Sequence, residues 1–363
     1  MDSREKARAV INETDMQIRE LFRKRMEAVA VIADYKKEHG LPIEDKEREA
    51  ALIARGCAEI SDAEIREYYI RFQRSMMEIS KAYQRRRLSG MRVAYSGVEG
   101  AFAWIAVKRI FKTAIPVAYP DFASAYHAAE KGEADAAVLP TENSYAGDVG
   151  QVMDLIFSGN LCINGIYELP VDQHLLTLPG ADTKKIKKVY SHPQALSQCA
   201  PFLEEHGWEP IPYGNTAAAA KFVSEAKDET VAAVGSEETA ALYGLCVAER
   251  SIQSDRSNTT RFAVLCPDGD RPHTEGVHCV LTFTVRNQAG CLAEAIGVIG
   301  KYGYNMRVLC SRPMKTLAWQ YYFYIEIEGD IDTEKGRSML EELGGFCDRL
   351  RVMGQFVPGG FNL

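Results

Sequence analysis

Arg25 occupies a position that is typical of a buried hydrophobic residue. Ile11, Ile18, Arg25 and Ile32 recur every seven residues, so the guanidinium lies within the apolar stripe of a long α-helix. Burial of an arginine is costly unless an anionic group meets it. This position therefore predicts a site for an anionic ligand, with an ion pair to a neighbouring helix as the simpler alternative.

Other polar side chains have spacings that would bring them to the same site. Lys36 follows Arg25 by three helical turns, on the same face and about 16 Å along the axis. Arg8 is about 25 Å from Arg25, so one small molecule reaches both only if Arg8 comes from an antiparallel second subunit. Residues that share a helical face in two later segments are Asp45, Arg48 and Glu49, and then Ser80 and Gln84. Any single pair of this kind is also typical of a salt-bridged surface.

A second set of polar side chains lies where strands are expected to end. These loops contain Gly97 and Gly100 and the runs 140–144, 191–198 and 258–262. Ligands in open α/β sheets bind at the carboxyl ends of strands. Each loop alone is also consistent with an ordinary turn or helix cap, so the prediction of a ligand site depends on all of them together.

Three helices are predicted to position the first set. Residues 1–39 contain neither Gly nor Pro and keep a helical period, which predicts a helix of about 50 Å or more. A short helix is expected over 45–55, and Ser61 with Glu64 forms a predicted capping box that starts a third helix ending near residue 87. Helices of such unequal length cannot cover the apolar face of the first, so we expect a homodimer or a dimer of dimers.

After residue 90 the pattern changes to short β-rich runs that alternate with alanine-rich helices. This alternation predicts an α/β domain wound around parallel strands. The predicted strands are 92–95, 136–139, 188–190 and 231–234, and the predicted helices are 122–131, 194–206 and 216–226.

The last part of the chain has a different element order. Residues 267–276 are predicted to form a linker. The elements predicted after it are a strand (277–286), a helix (291–302), two strands (305–311 and 320–328), a helix (333–343) and a strand (347–357). This βαββαβ order predicts a ferredoxin-like sandwich, with a small α/β unit of unspecified role as the alternative.

Composition excludes several classes of protein. Hydrophobic residues make up 46% and charged residues 26% of the 363 residues, as in ordinary soluble proteins, and no run of about 18 apolar residues predicts a membrane span. The first ten residues are charged and lack the apolar core of a secretion signal. Nine scattered cysteines without a CxxC pair predict reduced thiols in the cytoplasm and no metal site. No basic tract stands out, so nucleic acid is not an expected partner.

Residues 4–88 resemble the all-helical chorismate mutase family. The order of its motif residues is complete here, as Arg8, Arg25, Lys36, Asp45, Arg48, Glu49, Ser80 and Gln84. The resemblance implies that the arginines hold the carboxylates of chorismate, and that Lys36 and Gln84 donate to its ether oxygen. It also implies that Asp45 and Glu49 orient the ring hydroxyl and Lys36. The rearrangement to prephenate is pericyclic, so it needs positioning and electrostatic stabilisation without any cofactor.

Residues 92–266 resemble the prephenate dehydratases, most specifically in SHPQAL (191–196) and in Thr260, Arg261 and Phe262. The resemblance implies two α/β lobes around a cleft, with Thr260 as the hydroxyl donor and Arg261 as a carboxylate clamp or a structural brace. The predicted substrate contacts are Glu142, Asn143, Ser144, Ser191, Gln198, Thr260, Arg261 and Phe262. His192 precedes a proline, and we interpret it as a loop-capping histidine and not as the general acid.

Residues 277–357 resemble ACT domains, which sense amino acids. The resemblance implies a site for phenylalanine at a dimer interface, formed by Gly290, Leu292, Ser311, Arg312 and Pro313. An ACT domain that serves only dimerisation is the alternative. The glycine would let the backbone approach the ligand, and the helix after it would suit a carboxylate.

The three resemblances together predict a bifunctional enzyme of phenylalanine biosynthesis with three domains, at 1–90, 91–268 and 276–363. Its substrates would be chorismate and prephenate, and phenylalanine would be its inhibitor. Two alternatives stay open, a non-catalytic amino-acid sensor and a dehydratase that prefers arogenate.

Overall fold

The computed structural model describes residues 2–267, 278–314 and 319–358. It divides into two compact units, Met1–Arg92 and Val93–Leu363, which are described separately. The predicted linker falls outside the described residues apart from Pro267. No helix in the described part of the chain is both long enough and apolar enough to cross a membrane.

The first unit consists of three helices, α1 (Ser3–Glu38), α2 (Lys46–Ala58) and α3 (Ala63–Ser89). Gly40, with a φ of +63°, lies in the turn that ends α1. Arg87 forms a two-pronged ion pair with Asp34 that joins the end of α3 to α1. The three predicted helices are confirmed at nearly their expected bounds.

The predicted capping box at the start of α3 is wrong in one detail. Asp62, and not Ser61, is the N-cap, because its carboxylate accepts hydrogen bonds from the backbone N–H groups of Glu64 (2.8 Å) and Ile65 (3.1 Å). Both residue types are good caps, and the carboxylate also interacts favourably with the positive end of the helix dipole. The helix therefore begins one residue later than the box predicts.

The first part of the second unit is an α/β structure built on two sheets. Its strands are β1 (Arg92–Ser96), β2 (Ile115–Tyr119), β3 (Ala136–Asn143), β4 (Gly147–Asp148), β5 (Cys162–Pro170), β6 (His174–Thr177), β7 (Lys188–Ser191), β8 (Glu209–Pro212), β9 (Val231–Gly235), β10 (Cys246–Glu249) and β11 (Thr259–Cys266). Its helices are α4 (Phe102–Ile110), α5 (Phe122–Glu130), α6 (Gly150–Ser158), α7 (Pro193–Gln198), α8 (Ala200–Glu205), α9 (Thr216–Ala226) and α10 (Glu237–Tyr243), with a 3₁₀ turn at Thr183–Lys185.

The two sheets form two lobes, and the chain passes from one lobe to the other twice. The first sheet has the order β2-β1-β3-β11-β5, with β4 paired to β3, and the second has the order β10-β6-β9-β7-β8. The chain leaves the first lobe after β5 and returns with β11.

The four strands predicted from the sequence pair in parallel, as expected, but both sheets also contain antiparallel strands that the sequence pattern did not predict. The pairs β1/β3, β7/β8 and β7/β9 are parallel, but β11 is antiparallel to both β3 and β5, and β6 is antiparallel to β9 and β10. The chain re-enters the first lobe from the second, so β11 starts beside the carboxyl end of β3 and runs away from it.

One predicted helix is divided into two. The expected helix over 194–206 breaks at Cys199, which ends α7 and precedes α8. Pro201 has no backbone N–H to donate to the preceding turn, which explains the break.

The second unit ends in a third sheet, formed by β12 (His278–Thr284), β13 (Asn305–Pro313), β14 (Tyr321–Glu328) and β15 (Arg349–Phe356). The helices α11 (Cys291–Lys301) and α12 (Glu334–Phe346) complete the order βαββαβ, and the sheet order is β13-β14-β12-β15 with antiparallel neighbours. Val280, Tyr324 and Met353 of this sheet belong to the same buried cluster as Ile163 and Leu265 of the first lobe. The sheet therefore packs against the first lobe through an apolar core.

We expect Tyr126→Phe to lower the free energy of unfolding by about 1–3 kcal/mol, because it leaves a buried donor without an acceptor. The Tyr126 hydroxyl accepts a hydrogen bond of 2.9 Å from the backbone N–H of Leu161, and both residues are buried. Denaturant unfolding followed by tryptophan fluorescence measures the change. Tyr321→Phe, at an exposed tyrosine, is the matched control, and equal stability of the two variants would contradict this assignment.

Candidate functional site

Asn143 and Thr260 meet at the edge where β3 ends and β11 begins. The register of the two strands pairs them directly. The Asn143 amide donates to the Thr260 hydroxyl oxygen (2.9 Å) and to the Asn258 side-chain oxygen (2.8 Å). Its own oxygen accepts from the backbone N–H groups of Tyr145 (3.1 Å) and Ala146 (2.9 Å). Because the Thr260 oxygen is already an acceptor in this network, its O–H is directed elsewhere and is available to a ligand.

A cleft of about 530 Å³ opens between the two lobes at this edge. Three of the residues predicted from the sequence line it, namely Asn143, Gln198 and Thr260. Gln194 and Asn258, which belong to the polar runs singled out from the sequence, also line it. Sequence reasoning missed the other polar lining residues, which are Asp148, Gln151, Gln173, Asn215 and Thr216, and Gln173 lies in no motif.

Two predicted contact residues have their hydroxyl groups engaged by the backbone. Ser191 is fully buried and donates to the carbonyl oxygen of Val234 (2.7 Å). Ser144 accepts from the N–H of Thr259 (2.9 Å) and thereby secures the loop after β3. Neither lines the cleft, so both lie where they support the cleft walls. Their predicted contact with substrate stays a prediction.

Arg261 lies on the opposite face of β11 from Thr260, as strand alternation requires. Its guanidinium contacts Glu326 of the third sheet (2.7 Å), Glu142 (3.4 Å) and Glu168 (3.5 Å). Burial alone would lower the pKa of Arg261, but the charge of Glu326, the hydrogen bond to it and the smaller contributions of Tyr324 and Glu142 together outweigh burial, and the pKa is raised. Of the two predicted roles for Arg261, this geometry is that of a structural brace.

Phe262, two residues after Thr260, is buried in the sheet core.

Glu326 is itself fully buried and is shared between two basic side chains. Its second oxygen lies 2.8 Å from Nδ1 of His278. A buried carboxylate of this kind is stable only because it is paired and hydrogen-bonded. The pairing ties the segment that carries Thr260 to the third sheet.

His192 is the N-cap of α7, and its Nδ1 accepts from the backbone N–H of Gln194 (3.3 Å). The prediction of a capping histidine is therefore confirmed. The same residue also borders the cleft.

In the helical unit, Arg25 lies against α3. Its guanidinium donates to the Ser80 hydroxyl, which in turn donates to the carbonyl of Met76 (2.7 Å). Burial lowers the pKa of Arg25, although arginine stays charged at any ordinary pH. Gln84 donates to the carbonyl of Ser80 (3.3 Å), and its buried oxygen has no hydrogen-bond partner within residues 2–267 or the other described ranges. These groups form a polar site that is suited to an anion.

The other predicted residues of this unit fall into two groups. Lys36 is partly buried and donates to the carbonyl of Ile43, on the segment before α2. Asp45 is the N-cap of α2 and accepts from the N–H of Arg48 (3.0 Å). Arg8 and Arg48 are exposed, so their side chains are not gathered at Arg25 in this chain.

Lys81 was missed by the sequence reasoning. It is 8% exposed, and its ammonium lies 3.4 Å from Glu49 and 2.6 Å from Glu78. The hydrogen bond to Glu78 raises its pKa. The contact between Lys81 and Glu49 joins α3 to α2.

The predicted effector residues lie on α11 and β13. Gly290 has a φ of +89° and is the N-cap residue of α11, and Leu292 is partly buried. Ser311 and Pro313 are exposed on β13, an edge strand. Arg312 between them turns to Asp154 of α6 (3.0 Å), whose carboxylate also accepts from the Tyr322 hydroxyl (2.8 Å).

Three comparisons with known proteins agree with this architecture. Residues 93–270 match the family model of prephenate dehydratase, and residues 7–85 match that of chorismate mutase type II. A bifunctional chorismate mutase/prephenate dehydratase of Escherichia coli K12 is 32% identical over 96% of this chain and 94% of its own length. An Arabidopsis thaliana protein described as arogenate dehydratase/prephenate dehydratase 2 is 33% identical over 74% of this chain and 73% of its own length.

A solved structure adds support for the fold of the second unit. The prephenate dehydratase of Arthrobacter aurescens, determined in complex with L-Phe, covers 75% of this chain and 92% of its own with a TM-score of 0.68 at 24% identity. Identity this low supports the fold alone. Together with the two family models and the identity over nearly the whole length, the chain belongs to the bifunctional chorismate mutase/prephenate dehydratase family and has both activities in phenylalanine biosynthesis.

Proposed function

We propose that chorismate binds at the polar site around Arg25 and that prephenate binds in the cleft at Asn143 and Thr260. We also propose that phenylalanine acts through the third sheet. The corresponding domains are 1–90, 91–268 and 276–363. The observation that carries the dehydratase part is the direct contact between the Asn143 amide and the Thr260 hydroxyl at the cleft edge.

In the mutase site, the protein supplies charge and hydrogen-bond donors to a dianion. Arg25 provides a partly buried cation next to Ser80 and Gln84. The oxygen and nitrogen of a glutamine amide have nearly the same shape, so rotation of the Gln84 amide would present its NH₂ to the ether oxygen of chorismate. Such donors accelerate the rearrangement because charge on that oxygen grows in the transition state.

The helical unit is completed by a second copy in this proposal. Large apolar side chains on α1 are exposed in the single chain, among them Ile11, Met16 and Leu21. A groove of about 730 Å³ on the same unit is lined by Ile18, Phe22, Arg25 and Phe72. An antiparallel partner helix would cover this surface and bring its own Arg8 to the neighbour's Arg25.

In the dehydratase site, prephenate loses carbon dioxide and its ring hydroxyl while the ring becomes aromatic. The bond to the carboxylate breaks and its electron pair enters the ring, while the carbon–oxygen bond breaks and the oxygen leaves. The leaving oxygen needs a hydrogen-bond donor and finally a proton. The Thr260 O–H fits the first need, since Thr260 lines the cleft and its oxygen already accepts from Asn143, which leaves its hydrogen for a ligand.

The third sheet and its two helices form an ACT domain of ferredoxin-like topology in this proposal. The βαββαβ order and the exposed edge strand β13 support it, as does the L-Phe complex of the Arthrobacter protein. A contact path leads from β13 to the cleft. Arg312 holds Asp154 on α6, and α6 begins at Gly150, which lines the cleft. A ligand that displaces Arg312 would therefore disturb the cleft wall.

Arogenate is a second candidate substrate for the same cleft. The Arabidopsis relative carries both substrate names, and arogenate differs from prephenate only in an amino group in place of the keto oxygen. A comparison of kcat/KM for the two compounds decides between them.

We expect Lys36→Ala to reduce mutase turnover by at least about a hundredfold, because it removes a donor to the ether oxygen. Dehydratase activity measured with added prephenate stays unchanged. Lys37→Ala, one residue further on the exposed face of α1, is the matched control. Full mutase activity of Lys36→Ala, with chorismate consumption as the readout, would contradict the site.

We expect Thr260→Ala to reduce the dehydratase kcat by about a hundredfold to a thousandfold while mutase activity is kept. Thr260→Ser keeps the hydroxyl and restores most of the rate. Phenylpyruvate formation from prephenate is the measurement. A loss of both activities in Thr260→Ala, or an equal loss in the serine variant, would contradict the role of the hydroxyl.

We expect Arg312→Ala to weaken inhibition by phenylalanine at least about tenfold, the factor of one charged hydrogen bond. The uninhibited dehydratase rate falls as well, because Arg312→Ala breaks the same contact with Asp154 that the ligand would displace. Arg307→Ala, an exposed arginine on the same strand, is the control. Inhibition curves and calorimetry with phenylalanine give the result, and an unchanged curve for Arg312→Ala would rule out the path.

A further inference from the structure

Gln173 has a buried polar group that the described residues leave unsatisfied. The residue is 2% exposed and lies between β5 and β6, where the chain crosses from the first lobe to the second. It lines the cleft together with Asn143, Thr260 and Gln198. Its side-chain oxygen is buried and has no hydrogen-bond partner in the described part of the chain.

The backbone around Gln173 is fixed on both sides. Its N–H donates to the side-chain oxygen of Gln253 (3.0 Å), and its carbonyl accepts from the N–H of Ile252 (2.8 Å). The Gln253 amide donates in turn to Asp172 (3.0 Å). Two residues earlier, the N–H of Val171 donates to the backbone carbonyl of Asn258, whose side-chain oxygen accepts from the Asn143 amide. The segment 171–173 is thus connected through Asn258 to the Asn143–Thr260 pair.

An unsatisfied buried acceptor is unfavourable, and native structures rarely keep one without a purpose. A ligand that brings a donor to the cleft would remove this penalty. Prephenate has only one donor group. Its two carboxylates and its keto oxygen only accept, whereas its ring hydroxyl carries a hydrogen.

We propose that the side-chain oxygen of Gln173 accepts a hydrogen bond from the ring hydroxyl of prephenate and from the water that this hydroxyl becomes. The proposal rests on the binding of prephenate in this cleft. As the carbon–oxygen bond breaks and carbon dioxide leaves, the departing oxygen takes a proton from the hydrogen-bond network at Thr260, which solvent replenishes. The leaving group then carries two hydrogens in place of one.

The two side chains therefore have complementary roles. Thr260 donates to the leaving oxygen, and Gln173 accepts from it and fixes its orientation. In this step the proton reaches the departing oxygen ahead of full carbon–oxygen cleavage, so the oxygen carries partial positive charge in the transition state. Its O–H group then donates more strongly to Gln173 than in the ground state. An interaction that strengthens toward the transition state raises kcat more than it lowers KM.

The first test is Gln173→Met in the full-length chain, which keeps the shape and removes the acceptor. We expect a fall in dehydratase kcat of about tenfold to a hundredfold with KM nearly unchanged, the factor of one transition-state hydrogen bond. The fall should be equal for prephenate and arogenate, since both carry the ring hydroxyl. Loss with arogenate alone would assign Gln173 to its amino group and overturn the proposal.

The second test, Gln173→His, gives a readout that a purely structural role would not move. A neutral imidazole can accept a hydrogen bond and a protonated one cannot, and histidine titrates near pH 6.5. We expect this variant to recover activity relative to Gln173→Met above about pH 7.5 and to lose it below about pH 6, relative to the parent at each pH. Recovery at low pH instead would mean that position 173 donates to a carboxylate, which contradicts the proposal.

A melting temperature within a few degrees of the parent for both variants separates this role from misfolding. The Thr260→Ala variant shows whether prephenate reacts in this cleft at all, separately from the role of Gln173. If Thr260→Ala keeps dehydratase activity, prephenate does not react in this cleft. If Thr260→Ala loses activity and Gln173→Met keeps it, only the role of Gln173 is wrong.

Discussion

The antiparallel pairing of β11 with β3 is the constraint on which the second unit depends. This register sets Thr260 opposite Asn143 at the cleft and sets Arg261 opposite Glu142 on the other face. Successive residues of one strand thus serve two purposes, since Thr260 lines the cleft and Arg261 binds the buried Glu326. A shift of one residue would exchange the two faces and destroy both contacts.

Two routes of side-chain contacts connect the cleft to the third sheet. One runs through Arg261, Glu326 and His278, and the other through Arg312 and Asp154 to the helix that begins at the cleft wall. Both routes contain an ion pair of an arginine that is wholly or partly buried, and such a pair is costly to break when one partner is removed. In the proposed function, these contacts would transmit the binding of phenylalanine at the third sheet to the cleft.

The sequence predicted the parts that follow from periodicity and from contiguous motifs. Arg25 in an apolar stripe, the three helices and the βαββαβ order belong to this class, because local patterns determine them. The position of Ser191 away from the cleft, the brace geometry of Arg261 and the antiparallel β11 depend on strand register and on the second crossing between lobes. Gln173 and Lys81 could not be predicted, since neither lies in a motif and their significance comes from burial beside groups that are distant in sequence.

The central claim is that Asn143 and Thr260 act as one catalytic unit at the start of β11. A double-mutant cycle on dehydratase kcat/KM, with Asn143→Ala, Thr260→Ala and the double variant, tests it most directly. The account predicts that the double variant is barely slower than the slower single variant, because each change disables the same hydrogen-bonded pair. Losses that multiply independently would contradict it.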